Sequence, residues 1–281
     1  MKKIYWICRF YIFLLVLGTL LVPLFFPESN WQTDVQNALQ GPSANHWFGT
    51  DSLGRDLFFR TINGAKVSLY MGILCSFFAL LIGVIYGGIS GWLGGLWDQI
   101  LMRMMEIILS LPQIVTIGLM VLFMSSKSDD SFALVSFLKL AVAISLGSWM
   151  IFARLTRNLV LREKSLLYVE SAIAIGATPQ RVLTHEIFPN LLPSLLVMFG
   201  LQIPNFLLFE SFLSFMGIGI HPPLSSWGLL IQEGWKSMLA YPHLLGFPAL
   251  ILFFTVFSLN VVFEQFRHRL MKPFAAVDLH H

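Results

Sequence analysis

The sequence predicts an all-α membrane protein with six transmembrane helices, and three observations carry that expectation. Hydrophobic residues make up 56% of the 281 and charged residues 12%, with a mean hydropathy of +0.74, a balance found in multi-span membrane proteins and not in soluble domains. The apolar residues gather into six runs, each close to the about 20 residues that a helix needs to cross roughly 30 Å of hydrocarbon. The cations between the runs are unequal on the two sides of such a path. Lys2, Lys3, Arg9, Arg103, Arg154, Arg157, Arg162, Lys164, Arg181, Arg267, Arg269 and Lys272, 12 of the 18 basic residues, fall on one side. Arg55, Arg60, Lys66, Lys127, Lys139 and Lys236 fall on the other. The positive-inside rule then places both termini in the cytoplasm.

The first run, Phe10 to Phe26, follows Lys2, Lys3 and Arg9 as the apolar stretch of a signal peptide would. Its length, and the lack of a small-x-small cleavage site before Pro27, make it a retained anchor. With the outer segment up to Lys66 it forms a first unit, 1–66, and the other five runs form a core, 67–281. The second run, Val67 to Gly91, lies in a stretch without charge until Asp98; Gly83, Gly87, Gly91 and Gly95 stand four apart in it, the spacing that lets another helix come close. The third is Ile107 to Met124, preceded by Arg103 and Glu106, three apart and able either to pair with each other or to act at a gate. The fourth runs from about Phe132 to Phe152. The fifth, Leu191 to Met216, is interrupted only by Glu210, and the sixth, about Leu244 to Phe263, ends before Glu264.

An ionisable group inside a span is functional or paired. Glu210 comes about 20 residues after Pro189, which at 1.5 Å per residue sets it near the outer leaflet. There it either faces a path or a neighbouring subunit, or holds the loop around Pro222 and Pro223 by a buried hydrogen bond. The outer stretch from Glu28 to Lys66, with Asp51, Arg55, Asp56 and Arg60, either meets a partner protein or is a solvated loop whose Asp51 caps the second span, and Trp227 and Trp235 are expected to sit at the membrane interface on a short helix within Ser226 to Met238.

The segment between the fourth and fifth runs, about 154–190, is far longer than a helix connection in a compact bundle needs. Its grammar predicts two short helices: Ser165 caps the first and Gly176 ends it, Thr178 caps the second and Pro179 suits its first turn. Val169, Ala172, Ile173, Val182 and Leu183 recur at helical spacing. The stripe either fits a groove on another protein or packs against the inner ends of the bundle.

Other chemistries find little support. Cys8 and Cys75 lie in apolar segments with no CxxC or Cys/His spacing, so neither a disulfide framework nor a zinc site is expected. A net charge of +3 with scattered cations gives no nucleic-acid surface. His185-Glu186 lacks the second histidine of a zinc-protease helix, and His280-His281 is a weak metal pair or a frayed tail. Gly88-Ile89-Ser90-Gly91 matches the G-x-S-G of rhomboid intramembrane proteases, but His221 and His243 lie near span ends, where neither reaches the depth such a base needs. No G-x4-G-K-[ST] occurs, so ATP is not captured by this chain.

Glu170, Ala172, Gly176 and the closing His185-Glu186-Ile187-Phe188-Pro189-Asn190 resemble the E-A-A-x3-G loop of membrane subunits of bacterial ABC importers, with Ser171 where the family has a second alanine. His46-Trp47-Phe48-Gly49-Thr50-Asp51-Ser52-Leu53-Gly54-Arg55-Asp56 resembles the H-x-F/L-G-T-D-x-x-G-R-D motif of the oligopeptide, dipeptide and nickel permease family. Residues 89–112 and 209–228 are similar to its C-type subunit, the second stretch especially to oligopeptide members. The chain departs from the family's G-D-x-L-R-D pattern at Phe263-Glu264-Gln265-Phe266-Arg267-His268.

The resemblance implies a type I ABC importer permease in the bacterial inner membrane. It implies a second, B-type permease subunit, two ATP-binding subunits that carry the ATP and Mg, and an extracytoplasmic substrate-binding protein. It also implies that Glu170, Ser171, Ala172, Gly176, Ala177, Arg181, His185 and Pro189 belong to a coupling helix that docks on an ATPase. Gly49, Thr50, Asp51, Gly54, Arg55 and Asp56 carry the outer-loop motif.

Overall fold

Residues 2–25, 33–124 and 133–275 are described by the computed structural model. Four of its helices are long and apolar enough to cross a membrane, and two bent pairs raise the number to six if each pair is one span. The long ones are α1 (Lys2–Phe25), α2 (Leu57–Leu93), α9 (Phe188–Phe215, continuous with α8, Pro179–Arg181) and α11 (His243–Ala275). With 37 residues, α2 is about 55 Å long and outreaches the hydrocarbon by several turns.

The bent pairs correct the expected third and fourth spans. Helix α3 (Gly95–Leu109) meets α4 (Gln113–Met124) at 83°. Pro112 stands at the break, where its missing N–H and its clash with a helical preceding residue stop α3. Ile107 therefore belongs to α3, and the run from Ile107 to Met124 is two helices. Helix α5 (Ala133–Ser148) and α6 (Met150–Lys164) meet at 43°, and α6 continues well past the expected end at Phe152. Phe132 lies outside the described residues.

At the centre stands α2, packed most extensively on α6 and α9. The glycine spacing explains the closeness. A Cβ on Gly83 would lie 2.5 Å from Phe152 Cβ, one on Gly87 2.2 Å from the Ala153 carbonyl oxygen, and one on Gly91 3.0 Å from Val160 Cβ. Only hydrogen fits there. Gly95 departs from the expectation: it has φ +54°, no atom near its absent Cβ, and serves the turn after α2 rather than the contact.

Met71, Cys75 and Ala79 of α2, Ile117 of α4, Leu140 and Ile144 of α5, Phe152 of α6 and Phe206 of α9 form the main core. Both cysteines are free thiols and buried. Helix α10 (Trp227–Trp235) corrects a further expectation. Trp227 is not interfacial; it is fully buried, donating its indole N–H to the Thr61 carbonyl at 3.1 Å, and only Trp235 is exposed. Helices α9 and α11 run antiparallel, with Phe263 against Gly200 and the start of α11 beside Gly49. The described termini thus share one end of the bundle with the segment 165–187.

Candidate functional site

The segment between α6 and α9 folds into a knob built on the bundle. Helix α7 (Leu167–Ala174) ends in a Schellman motif, with Gly176 at φ +89°, its N–H bonded to the Ile173 carbonyl at 2.9 Å and the Ala177 N–H to the Ala172 carbonyl at 3.0 Å. Thr178 then caps α8, accepting from the Arg181 N–H at 3.4 Å, with Pro179 in the first turn. Two details differ from the sequence expectation. Ser165 closes α6 instead of opening α7, its hydroxyl donating to the Arg162 carbonyl at 2.8 Å. The second helix is not short: a π-helical turn, Val182–Ile187, carries α8 directly into α9.

The apolar stripe is turned inward. Val169 and Val182 are fully buried with Val160, Ile187, Leu191 and Leu195, and Ala172 and Leu183 pack against them. Of the expected docking stripe only Ile173 stays exposed. The outward face is a different one: Leu167 (79% exposed), Ile175 (87%), Glu170, Ser171, Gly176, Arg181 and His185. Pro189 is exposed at the base and Ala177 half-buried. His185 Nδ1 stays within the knob, 2.8 Å from the Thr184 hydroxyl.

A brace that sequence reasoning missed joins the two roots of the knob. The Tyr168 hydroxyl donates to Glu163 at 2.7 Å, and Asn190 donates to the Tyr168 oxygen at 3.1 Å and to the Glu186 carbonyl at 3.0 Å. Burial, then the bond to Glu163, pushes the Tyr168 phenol above its ordinary value, so it stays neutral and donating. No local pattern marks these residues, because the brace spans 22 positions.

Beside the knob, Asp98 of α3 takes the Arg157 Nε at 2.6 Å, its Nη2 at 2.5 Å and the Ser90 hydroxyl at 2.6 Å. This ties α2, α3 and α6 together, and it occupies the hydroxyl that a protease reading needs free. Arg103 and Glu106 line an open cavity of about 390 Å³ with Asp98 and Arg157; they pair with each other at 3.9 Å and are both well exposed.

The opposite end holds Glu210. It is fully buried, accepting hydroxyls from Ser68 at 2.9 Å, Ser214 at 2.8 Å and Ser211 at 3.3 Å. Ser68 also accepts the Trp227 N–H at 3.3 Å, and Ser214 the Ile220 N–H at 3.1 Å. In this structure Glu210 is enclosed within the chain, where it fastens α2 to α9 and, through Ser68 and Ser214, to the loop before α10.

The outer-loop motif is a folded clamp. Gly49 (φ +81°) and Gly54 (φ +73°) are needed, since a Cβ would lie 2.4 Å from the Gln40 oxygen and 1.8 Å from the Asp34 oxygen. Thr50 accepts the Gln40 N–H at 2.8 Å and donates to the Asn37 carbonyl at 2.6 Å. Asp51 accepts Arg55 Nε at 2.7 Å and Arg60 Nη1 at 2.6 Å, and Arg60, only 2% exposed, also reaches Glu233 of α10 at 2.6 Å. The cap of α2 is Asp56, accepting the Phe58 N–H at 2.8 Å, and not the Asp51 of the solvated-loop reading. His46 Nδ1 meets Asp56 at 2.8 Å. Among the described residues no cluster could hold a metal, and His280-His281 lies outside them.

Four to six apolar spans around a glycine-packed central helix, with the knob at one end, are the architecture of a multi-span membrane protein. The chain belongs to the family of binding-protein-dependent transport system inner membrane components, whose model matches residues 79–272. It is 37% identical over 259 residues to the oligopeptide transport system permease protein of Bacillus subtilis, covering 92% of this chain and 82% of the relative. It is 35% identical over 241 residues to the dipeptide transport system permease protein of the same organism, covering 85% and 72%. Among solved structures, an inward-facing MetNI methionine ABC transporter chain superposes with a TM-score of 0.56 at 15% identity, covering 76% of this chain and 97% of that one, and so shows the fold.

Proposed function

We propose that this chain is the C-type permease subunit of an ATP-driven importer for oligopeptides. It encloses half of a translocation path with a B-type permease, is driven by two ATP-binding subunits that carry ATP and Mg, and receives substrate from an extracytoplasmic binding protein. Both termini and the knob face the cytoplasm of a bacterial inner membrane, in keeping with the 12 cations on that side. The observation that carries the substrate class is the 37% identity over 92% of the chain to an oligopeptide permease.

The coupling role rests on the knob. Its stripe is anchored in the bundle, so a push on the outward face at Leu167, Glu170, Ile175 and Arg181 reaches α6 and α9 without being absorbed. ATPase closure then draws two such knobs together and opens the other end to a loaded binding protein.

The dipeptide relative supports a second reading, with a shorter peptide as cargo. Purification from native membranes, with subunits identified by mass spectrometry, should yield a second permease and two ATPases. In proteoliposomes with the cognate binding protein, peptides of four or more residues should stimulate ATP hydrolysis. Stimulation by dipeptides alone would replace the substrate class, and recovery of the chain alone would overturn the importer reading.

A further inference from the structure

At the end of the bundle that carries the knob, the adjacent rings Tyr5 and Trp6 of α1 each carry an arginine, one from α1 itself and one from α11. Arg9 lies over the Trp6 ring at 5.4 Å, and Arg269, from the other helix, over the Tyr5 ring at 5.5 Å. The two rings stand edge to face at 6.0 Å. Trp6 is 61% exposed, with Ile4, Ile7 and Phe10 exposed beside it, as are Lys3 and both arginines. Elsewhere Arg55, Arg60 and Arg157 each hold an aspartate. Arg9 and Arg269 hold only the rings, among the described residues. The sequence offers no nearby acid on α1, since the first carboxylate is Glu28, and Glu264 on α11 is taken by Arg267.

We propose that this corner binds the phosphodiester headgroup of an anionic phospholipid. Tyr and Trp sit at headgroup depth, where one side of a ring is apolar and the other wet. A guanidinium held over such a ring keeps its N–H fork free, and the fork matches two phosphate oxygens. Ile7 and Phe10, next along α1, provide an apolar wall for the acyl chains. Two forks from two helices, with Lys3 beside them and no carboxylate to compete among the described residues, select a negative headgroup over a zwitterionic one. A bound lipid would also pin α1, the most peripheral span, to α11.

The inference needs only the membrane location, so its failure leaves the importer reading untouched. The assembled transporter in detergent is titrated with phosphatidylglycerol or phosphatidylcholine, and retained lipid is read by native mass spectrometry. Wild type should prefer phosphatidylglycerol, and Arg9→Gln with Arg269→Gln should weaken its retention roughly tenfold or more. Equal retention by variant and wild type, or no headgroup preference, overturns the site. Should the double variant not assemble, brominated phosphatidylglycerol should quench wild-type tryptophan fluorescence more than brominated phosphatidylcholine, with the difference lost in Trp6→Phe. Equal quenching, or a cross-link from position 9 to the second permease, overturns it as well.

Discussion

Gly87 and Glu210 show how a single residue reads from its sequence and from its surroundings. The four-residue glycine spacing announces a close helix approach but names no partner; the structure supplies α6, with the Ala153 carbonyl 2.2 Å from the missing Cβ. Gly87→Val should lower stability by about 1–3 kcal/mol through forced separation of α2 and α6. Gly118→Ala, with nothing within 4 Å, should be neutral or stabilise by up to about 1 kcal/mol. Thermal unfolding of the detergent-purified chain measures both. For Glu210 the sequence marks a carboxylate inside a span and leaves its role open, because the hydroxyls that hold it, Ser68, Ser211 and Ser214 among them, come from separate segments of the chain. Glu210→Ala leaves those hydroxyls without their acceptor and should cost about 1–3 kcal/mol, with Glu210→Gln, which keeps one oxygen acceptor and the volume, costing less. Equal unfolding midpoints for the two variants would argue against the fastening role.

The knob is the element whose local form was most legible and whose orientation was least so. Gly176, Thr178 and Pro179 act as their residue types dictate, since caps and turns depend on a few neighbouring backbone groups. The inward turn of Val169 and Val182 depends on Val160, Leu191 and Leu195, which no local window contains. Gly176→Pro cannot adopt φ +89° and breaks the Schellman turn, so substrate-stimulated ATP hydrolysis in reconstituted vesicles should fall while membrane insertion is kept. Glu170→Lys with Arg181→Glu, and separately Ile175→Glu, change the exposed face without touching the buried anchor and should lower the same coupling. Unchanged hydrolysis would mean that the ATPase docks elsewhere.

In the whole molecule α2 is the hub, in contact with α1, α3, α5, α6, α9, α10 and α11. Damage to it should spread, whereas damage to the peripheral α1 should stay local. Phe152→Ala, fully buried against Gly83, should cost about 3–5 kcal/mol and destabilise the bundle as one unit. Leu20→Ala on the outward face of α1 should leave the unfolding midpoint within error. The two ends are fastened differently: Asp98 with Arg157 joins α2, α3 and α6 at the knob end, and Arg60 with Asp51 and Glu233 joins the motif loop to α10 at the other. The Asp98–Arg157 and Arg60–Glu233 pairs join residues 59 and 173 positions apart, so composition and spacing show those charges without their partners.

The sequence by itself determined that the chain is helical and membrane-bound, where its runs lie, and which family it resembles. Hydropathy over about 20 residues and motif spacing are properties of the chain, independent of how the helices meet. The bend between α5 and α6, the burial of Trp227 and Glu210 and the inward turn of the Val169 stripe were decided only in three dimensions. In each case a side chain's fate is set by what stands across from it, and a linear pattern of apolar, polar and charged residues does not encode its neighbour.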